Sequence, residues 1–177
     1  KKENVHAVFV LTAGIWLLVT AITGLLLVYN FSFPLLSKDS LHYLALHAHM
    51  GVTGWFLLLV MGVGSRLIPM FLISKYSNNS LLWYIYGLIN GGLAGFVLIF
   101  LFIENKSLLP LPVIAIVSAI LLFGYYCYQS YKQRIRKRVD EQMKVSLLSV
   151  LMMFLPVIFL AIIIVILLLA SIPGIRL

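Results

Sequence analysis

Five stretches of this chain contain no Asp, Glu, Lys or Arg: Asn4–Ser37, Ser40–Ser65, Tyr76–Ile103, Ser107–Tyr131 and Val145–Ile175. A bilayer hydrocarbon core of about 30 Å is crossed by about 20 consecutive apolar residues in a helix. Each stretch exceeds that length. Lipid offers no partner for backbone N–H and C=O groups, so only helices and closed barrels cross it. Membrane barrel strands alternate apolar and polar residues over about 10 positions, and these runs do not alternate. The chain is therefore expected to fold as an all-α, polytopic transmembrane helical bundle. About five spans are expected, over residues 5–29, 41–73, 81–103, 108–131 and 147–170. They form one transmembrane domain across 1–177, alone or as part of a larger bundle.

Composition excludes the soluble alternative. The chain is 63% hydrophobic and 10% charged, with a mean hydropathy of +1.10, where a soluble domain carries about 25% charged residues. The net charge of +8 does not imply nucleic acid, because of where the charges sit. Lys132, Arg134, Arg136, Lys137, Arg138 and Lys144 share one loop. Short loops rich in Lys and Arg stay on the cytoplasmic side. With that loop inside, Lys1, Lys2, Arg66 and Lys75 fall on the same side, and Lys38, Lys106 and Arg176 on the other. The expectation is an integral protein of the bacterial plasma membrane, its loop Lys132–Lys144 cytoplasmic, with the lipid bilayer as its first partner.

Cys127 is the sole cysteine, so no intrachain disulfide framework is possible. It reads as a buried, inert thiol. Tyr125, Tyr126 and Tyr128 read as interfacial anchors, and Arg66 as a side chain snorkelling to the headgroups. The third span carries Gly87, Gly91 and Gly95 at intervals of four, a small-residue face on which a neighbouring helix can pack closely. Asn90 on the same helix is expected to hydrogen-bond a neighbour.

The residues that suggest chemistry are histidines. His42, His47 and His49 crowd one end of the second span, while His6 starts the first. An ionisable ring inside a membrane helix marks a candidate functional site. Residues two apart on an α-helix point about 200° apart. His47 and His49 therefore leave the helix on nearly opposite sides and are poorly placed to chelate one ion. The same periodicity puts Gly51, Gly54, Gly62 and Ser65 on the His47 face, and Thr53, Phe56, Val60 and Leu67 on the His49 face. A flat macrocycle could rest on the small-residue face below His47; helix packing accounts for Gly51 and Gly54 equally.

The segment His47-Ala48-His49-Met50-Gly51-Val52-Thr53-Gly54-Trp55, followed by Gly62 and by Leu67-Ile68-Pro69, resembles the tenth helix of subunit I in the heme-copper oxidase superfamily. The C-type cytochrome oxidases and nitric oxide reductases are the most similar branch. The resemblance covers about 25 residues. It implies heme as cofactor, with His47 the proximal ligand of a high-spin heme and His49 one axial ligand of a low-spin heme. His42 would contact a heme propionate or a partner. It also implies electron transfer, with other respiratory subunits or a cytochrome donor as partners. The family's copper centre takes three further histidines and its low-spin heme a second axial histidine. Here only His6 and His42 remain; both otherwise read as interfacial residues, and His6 lies across the membrane from the pair. Reduction of oxygen or nitric oxide would need copper ligands from outside this chain. The sequence, which starts at Lys1 and ends at Leu177, reads either as a piece of a longer protein or as a divergent relative without the copper centre. The alternatives are a non-redox helical membrane protein, a transporter or assembly scaffold, in which the histidines pack, and a copper or zinc site completed by other chains.

Overall fold

The computed structural model describes residues 4–103, 106–135 and 140–170. Lys1, Lys2, Arg136, Lys137, Arg138 and Arg176, which entered the charge argument, lie outside them. Helix α1 spans Val5–Ser32. Helix α2 spans Ser40–Leu72, α3 Asn79–Phe102 and α4 Pro110–Lys132. The last span is split into α5 (Glu141–Met152) and α6 (Leu155–Ala170). Five helical segments are long and apolar enough to cross a membrane, and no strand occurs among the described residues. The chain is thus an all-α bundle built for a bilayer. Leu25, Val28, Phe102, Leu111 and Phe159 point outward and are largely exposed. Such apolar exteriors are rare on soluble monomers and are the surface that lipid covers.

The ends of the helices follow from local chemistry. The Asn30 side chain folds the connection to α2: its Oδ1 accepts from the backbone N–H groups of Leu35 and Leu36, both at 2.8 Å. Its Nδ2 donates to the buried Ser40 hydroxyl, which donates in turn to the Leu27 carbonyl. Asn78 caps α3 by accepting from Leu81 N–H at 2.9 Å, and α4 starts on Pro110, whose missing N–H costs nothing at a first helical position. Pro156 has no N–H to donate back to Met152, so the last span breaks at Met153–Phe154. That span begins at Glu141 rather than near 147.

At one end, Lys75 N–H donates to the Gln133 carbonyl and Ile135 N–H to the Ile73 carbonyl. This brings Lys75 and Arg134 to the same end of the bundle, here called the basic end. The turn there places Ile73 at φ 48°, ψ 50°. For a β-branched residue this left-handed conformation is strained.

The buried core sits in the middle and toward the basic end. Phe9, Leu58, Met61, Leu72, Leu82, Ile85, Ile89 and Phe123 are fully enclosed there. Hydrogen bonds cross between helices in the same region. His6 Nδ1 lies 2.8 Å from Ser65 Oγ, and Ser65 Oγ donates to the Gly62 carbonyl. The His6 ring is therefore the donor of that pair. Tyr126 donates to the Ser65 carbonyl, Thr12 pairs with Tyr86, and Trp16 Nε1 donates to Asn90. Two expectations change here. Tyr126 is buried and bridges α4 to α2, while Tyr125 and Tyr128 are exposed. His6 is an interhelical tie rather than an interfacial residue.

Glycines mark close approaches, but not all of the expected ones. The α3–α4 contact is made at Gly92, where an added methyl would lie 3.0 Å from Ile116 and 3.1 Å from the Pro112 carbonyl. Such a methyl meets nothing within 4 Å at Gly87 or Gly91, and at Gly95 only Pro112 at 3.9 Å. The i, i+4 glycine face thus points away from the neighbouring helix, because α4 lies against the flank one residue further round.

Candidate functional site

The α2 helix is not uniform. Ser40–His49 is α-helical, Met50–Leu57 is an eight-residue π-helical stretch, and Leu58–Leu72 is α-helical again. The expected regular helix is therefore interrupted immediately after the His47/His49 pair. Long π-helical runs are rare, and π-bulges recur at functional sites. Gly51 and Gly54 fall inside the stretch. Without side chains there, α1 and α3 close in. A methyl at Gly54 would lie 2.7 Å from both Trp16 and Leu93, and one at Gly51 would lie 3.3 Å from Thr20. The faces also differ from the regular-helix expectation: of the residues expected beside His49, Thr53 is buried and Phe56 lines a cavity on the His47 side together with Val52.

His47 leaves α2 toward α1. Its half-buried ring lies over Gly24, where a methyl would come within 2.9 Å of Cε1. Thr23 donates its hydroxyl proton to the Val19 and Thr20 carbonyls, and His47 Nδ1 lies 3.5 Å from the same hydroxyl oxygen, at the outer limit of a hydrogen bond. Beside the ring, a laterally open cavity of about 440 Å³ is lined by Leu17, Thr20, Ala21, Ala48, Gly51, Val52, Trp55 and Phe56. This size falls within the roughly 300–1,000 Å³ range of ligand pockets. Most of the small-residue face below it is covered: Gly54 by Trp16, Gly62 by Phe9 and Ser65 by His6.

His49 leaves α2 toward α3. Its exposed ring stacks on Phe96, with centroids 4.5 Å apart and planes at 27°. Nδ1 lies 2.7 Å from the Ala45 carbonyl. A carbonyl only accepts, so Nδ1 carries the proton and Nε2 of the neutral ring is the acceptor. Among the described residues Nε2 makes no hydrogen bond. His42 shares this flank. It sits 5.2 Å from Phe100, which lies 5.9 Å from Phe96.

The two histidines thus flank α2 on opposite sides. His49 Nδ1 is held by the Ala45 carbonyl, while His47 makes only the long contact with Thr23. A histidine metal ligand typically donates its other N–H to an oxygen as His49 does. His6 also has Nδ1 on an oxygen, but it lies at the basic end, tied to Ser65. No group of three or more His, Cys, Asp or Glu converges among the described residues. Gly24, Thr23, Phe96 and Phe100 escaped the reading of the sequence. Only the i, i+7 spacing of His42 and His49 against the i, i+4 spacing of Phe96 and Phe100 could have hinted at the last two.

Fold and site together define an integral membrane helical bundle with paired histidines near one end of its second span. Comparison with protein-family models, with curated proteins and with solved structures finds no match for this chain.

Proposed function

We propose that this chain is a heme-binding component of a membrane electron-transfer system, resembling subunit I of heme-copper oxidases. The observation that carries the proposal is the placement of His47 and His49 on opposite flanks of one helix, with His49 Nδ1 held by the Ala45 carbonyl and its Nε2 without a hydrogen bond among the described residues. His47 would hold a high-spin heme and His49 one side of a low-spin heme. The group would supply one-electron exchange at iron. The protein's part is to fix the two rings. Ala45 sets the tautomer of His49 and Phe96 its plane, and Thr20, Ala21, Ala48 and Gly51 leave space beside His47. Reduction of a gas would further require copper ligands from another chain or segment. Lys75 and Arg134 at one end support a cytoplasmic basic loop in a bacterial plasma membrane, with a respiratory subunit or a cytochrome as donor.

The second reading is a transporter or scaffold whose histidines pack. The seat of His47 on Gly24 favours it, since a ring that fills an interface needs no ligand. The test is the absorption spectrum of the full-length protein purified from heme-replete cells. A Soret band at stoichiometric heme supports the heme proposal; its absence leaves the packing reading.

A further inference from the structure

We infer that the cleft between α2, α4 and α5 holds one acyl chain of an anionic phospholipid, with the lipid phosphate on Arg66. This site is separate from the histidine pair and does not depend on heme.

A cavity of about 580 Å³ runs along α2 from Phe56 to Phe71, closed on its far side by Ser146 and Ser149 of α5. Its length along the helix is about 20 Å. One hydrocarbon leaflet is about 15 Å deep, half of a core of roughly 30 Å, so a single lipid chain fits lengthwise. Gly64 and the Phe123 ring of α4 lie at its floor, where a methyl on Gly64 would come within 3.3 Å of the ring. Val63, Leu67 and Phe71 line the cavity and are exposed. The cleft therefore opens sideways, onto the apolar exterior that lipid covers.

The walls suit an alkyl chain rather than a polar ligand. The Ser146 and Ser149 hydroxyls donate to the Gln142 and Val145 carbonyls of their own helix, both at 3.0 Å, so these donors are spent. An empty cleft forfeits the dispersion contacts of its lining, and the surrounding lipid is the material at hand to restore them. Lipid tails are as apolar as the lining, so the chain alone gives little selection. The headgroup must select.

Arg66 supplies that selection. Leu59, Val63 and Arg66 share one stripe of α2 at i, i+4 and i+7. Leu59 and Val63 line the cavity, and Arg66 is exposed. Its apolar stem lets the guanidinium reach toward the headgroups of the basic end, and a guanidinium takes phosphate oxygens two at a time. Neighbouring cations are engaged elsewhere: Lys144 of α5 pairs with Glu141 at 2.6 Å, and the Arg134 guanidinium lies 3.8 Å over the Tyr131 ring.

The test mixes full-length protein in detergent with equal amounts of phosphatidylglycerol and phosphatidylcholine of identical chains, and reads the retained lipid by native mass spectrometry. The expected result is one phosphatidylglycerol held in preference to phosphatidylcholine. Arg66→Gln should lower that preference about five-fold, the effect of one basic residue on an anionic lipid, with total retention unchanged. Ser146→Leu combined with Ser149→Leu fills the cleft and leaves Arg66 in place. It should cut retention of both lipids about ten-fold without lowering the unfolding temperature. Equal retention of the two lipids by the unmutated protein would overturn the inference. So would a preference that Arg66→Gln leaves unmoved, or retention that survives the filled cleft.

Discussion

Toward the basic end, α2 is enclosed by α1, α3 and α4, and its polar atoms are bonded across helices through Ser65, His6 and Tyr126. Toward the opposite end, α2 rests on α1 along one flank and meets Phe96 and Phe100 on the other. The π-helical stretch Met50–Leu57 separates the two regions. The difference teaches where each kind of constraint acts. In the enclosed region, side chains are chosen by what they touch. At the histidine end, His47 still touches a neighbour, but His49 touches little that would demand an imidazole. Packing accounts for His47 without a ligand, and it does not account for His49.

Substitutions in the two regions should have different consequences. The largest effect is expected at Gly54, where the two regions join. Gly54→Leu drives a side chain into Trp16 and Leu93; it should cost about 1–3 kcal/mol or more and lower the unfolding temperature in detergent by several degrees. His47→Ala empties the seat over Gly24 and should cost about 1–2 kcal/mol in the same assay. An unchanged melting temperature would mean that the ring does not pack as described. Ile73→Gly tests the strain stored at the basic end. It releases a left-handed β-branched residue whose side chain is exposed, and a gain of about 1 kcal/mol is expected from denaturant titration. His49→Ala should change stability by less than about 0.5 kcal/mol, because the ring is exposed. Gly87→Ala and Gly91→Ala should be equally mild, whereas Gly92→Ala should be measurably destabilising; reversal of that order would restore the i, i+4 glycine face as the α3–α4 contact.

The spans were legible in the sequence because lipid imposes a simple filter on length and charge, and the filter acts residue by residue. The opposed directions of His47 and His49 were legible for a similar reason, since helical periodicity alone sets them. What surrounds each ring was not legible. The seat on Gly24 depends on the register of α1 against α2, and the stack on Phe96 on the approach of α3. The glycines show the same limit: Gly87, Gly91 and Gly95 form a better pattern than Gly92, yet α4 packs against Gly92. Spacing tells which residues share a face, and tertiary packing decides which face is used. The π-helical stretch left no periodic signal beyond Gly51 and Gly54. Thr53 within it is buried, against the regular-helix arithmetic.

Under the heme proposal, α2 carries two heme ligands, one on each flank. The most direct test is the ferric electron paramagnetic resonance spectrum of the full-length protein beside His47→Ala and His49→Ala. The account predicts that His47→Ala removes the high-spin signal and spares the low-spin one, and that His49→Ala does the reverse. A spectrum without heme signals, or one in which both substitutions remove the same component, would contradict it.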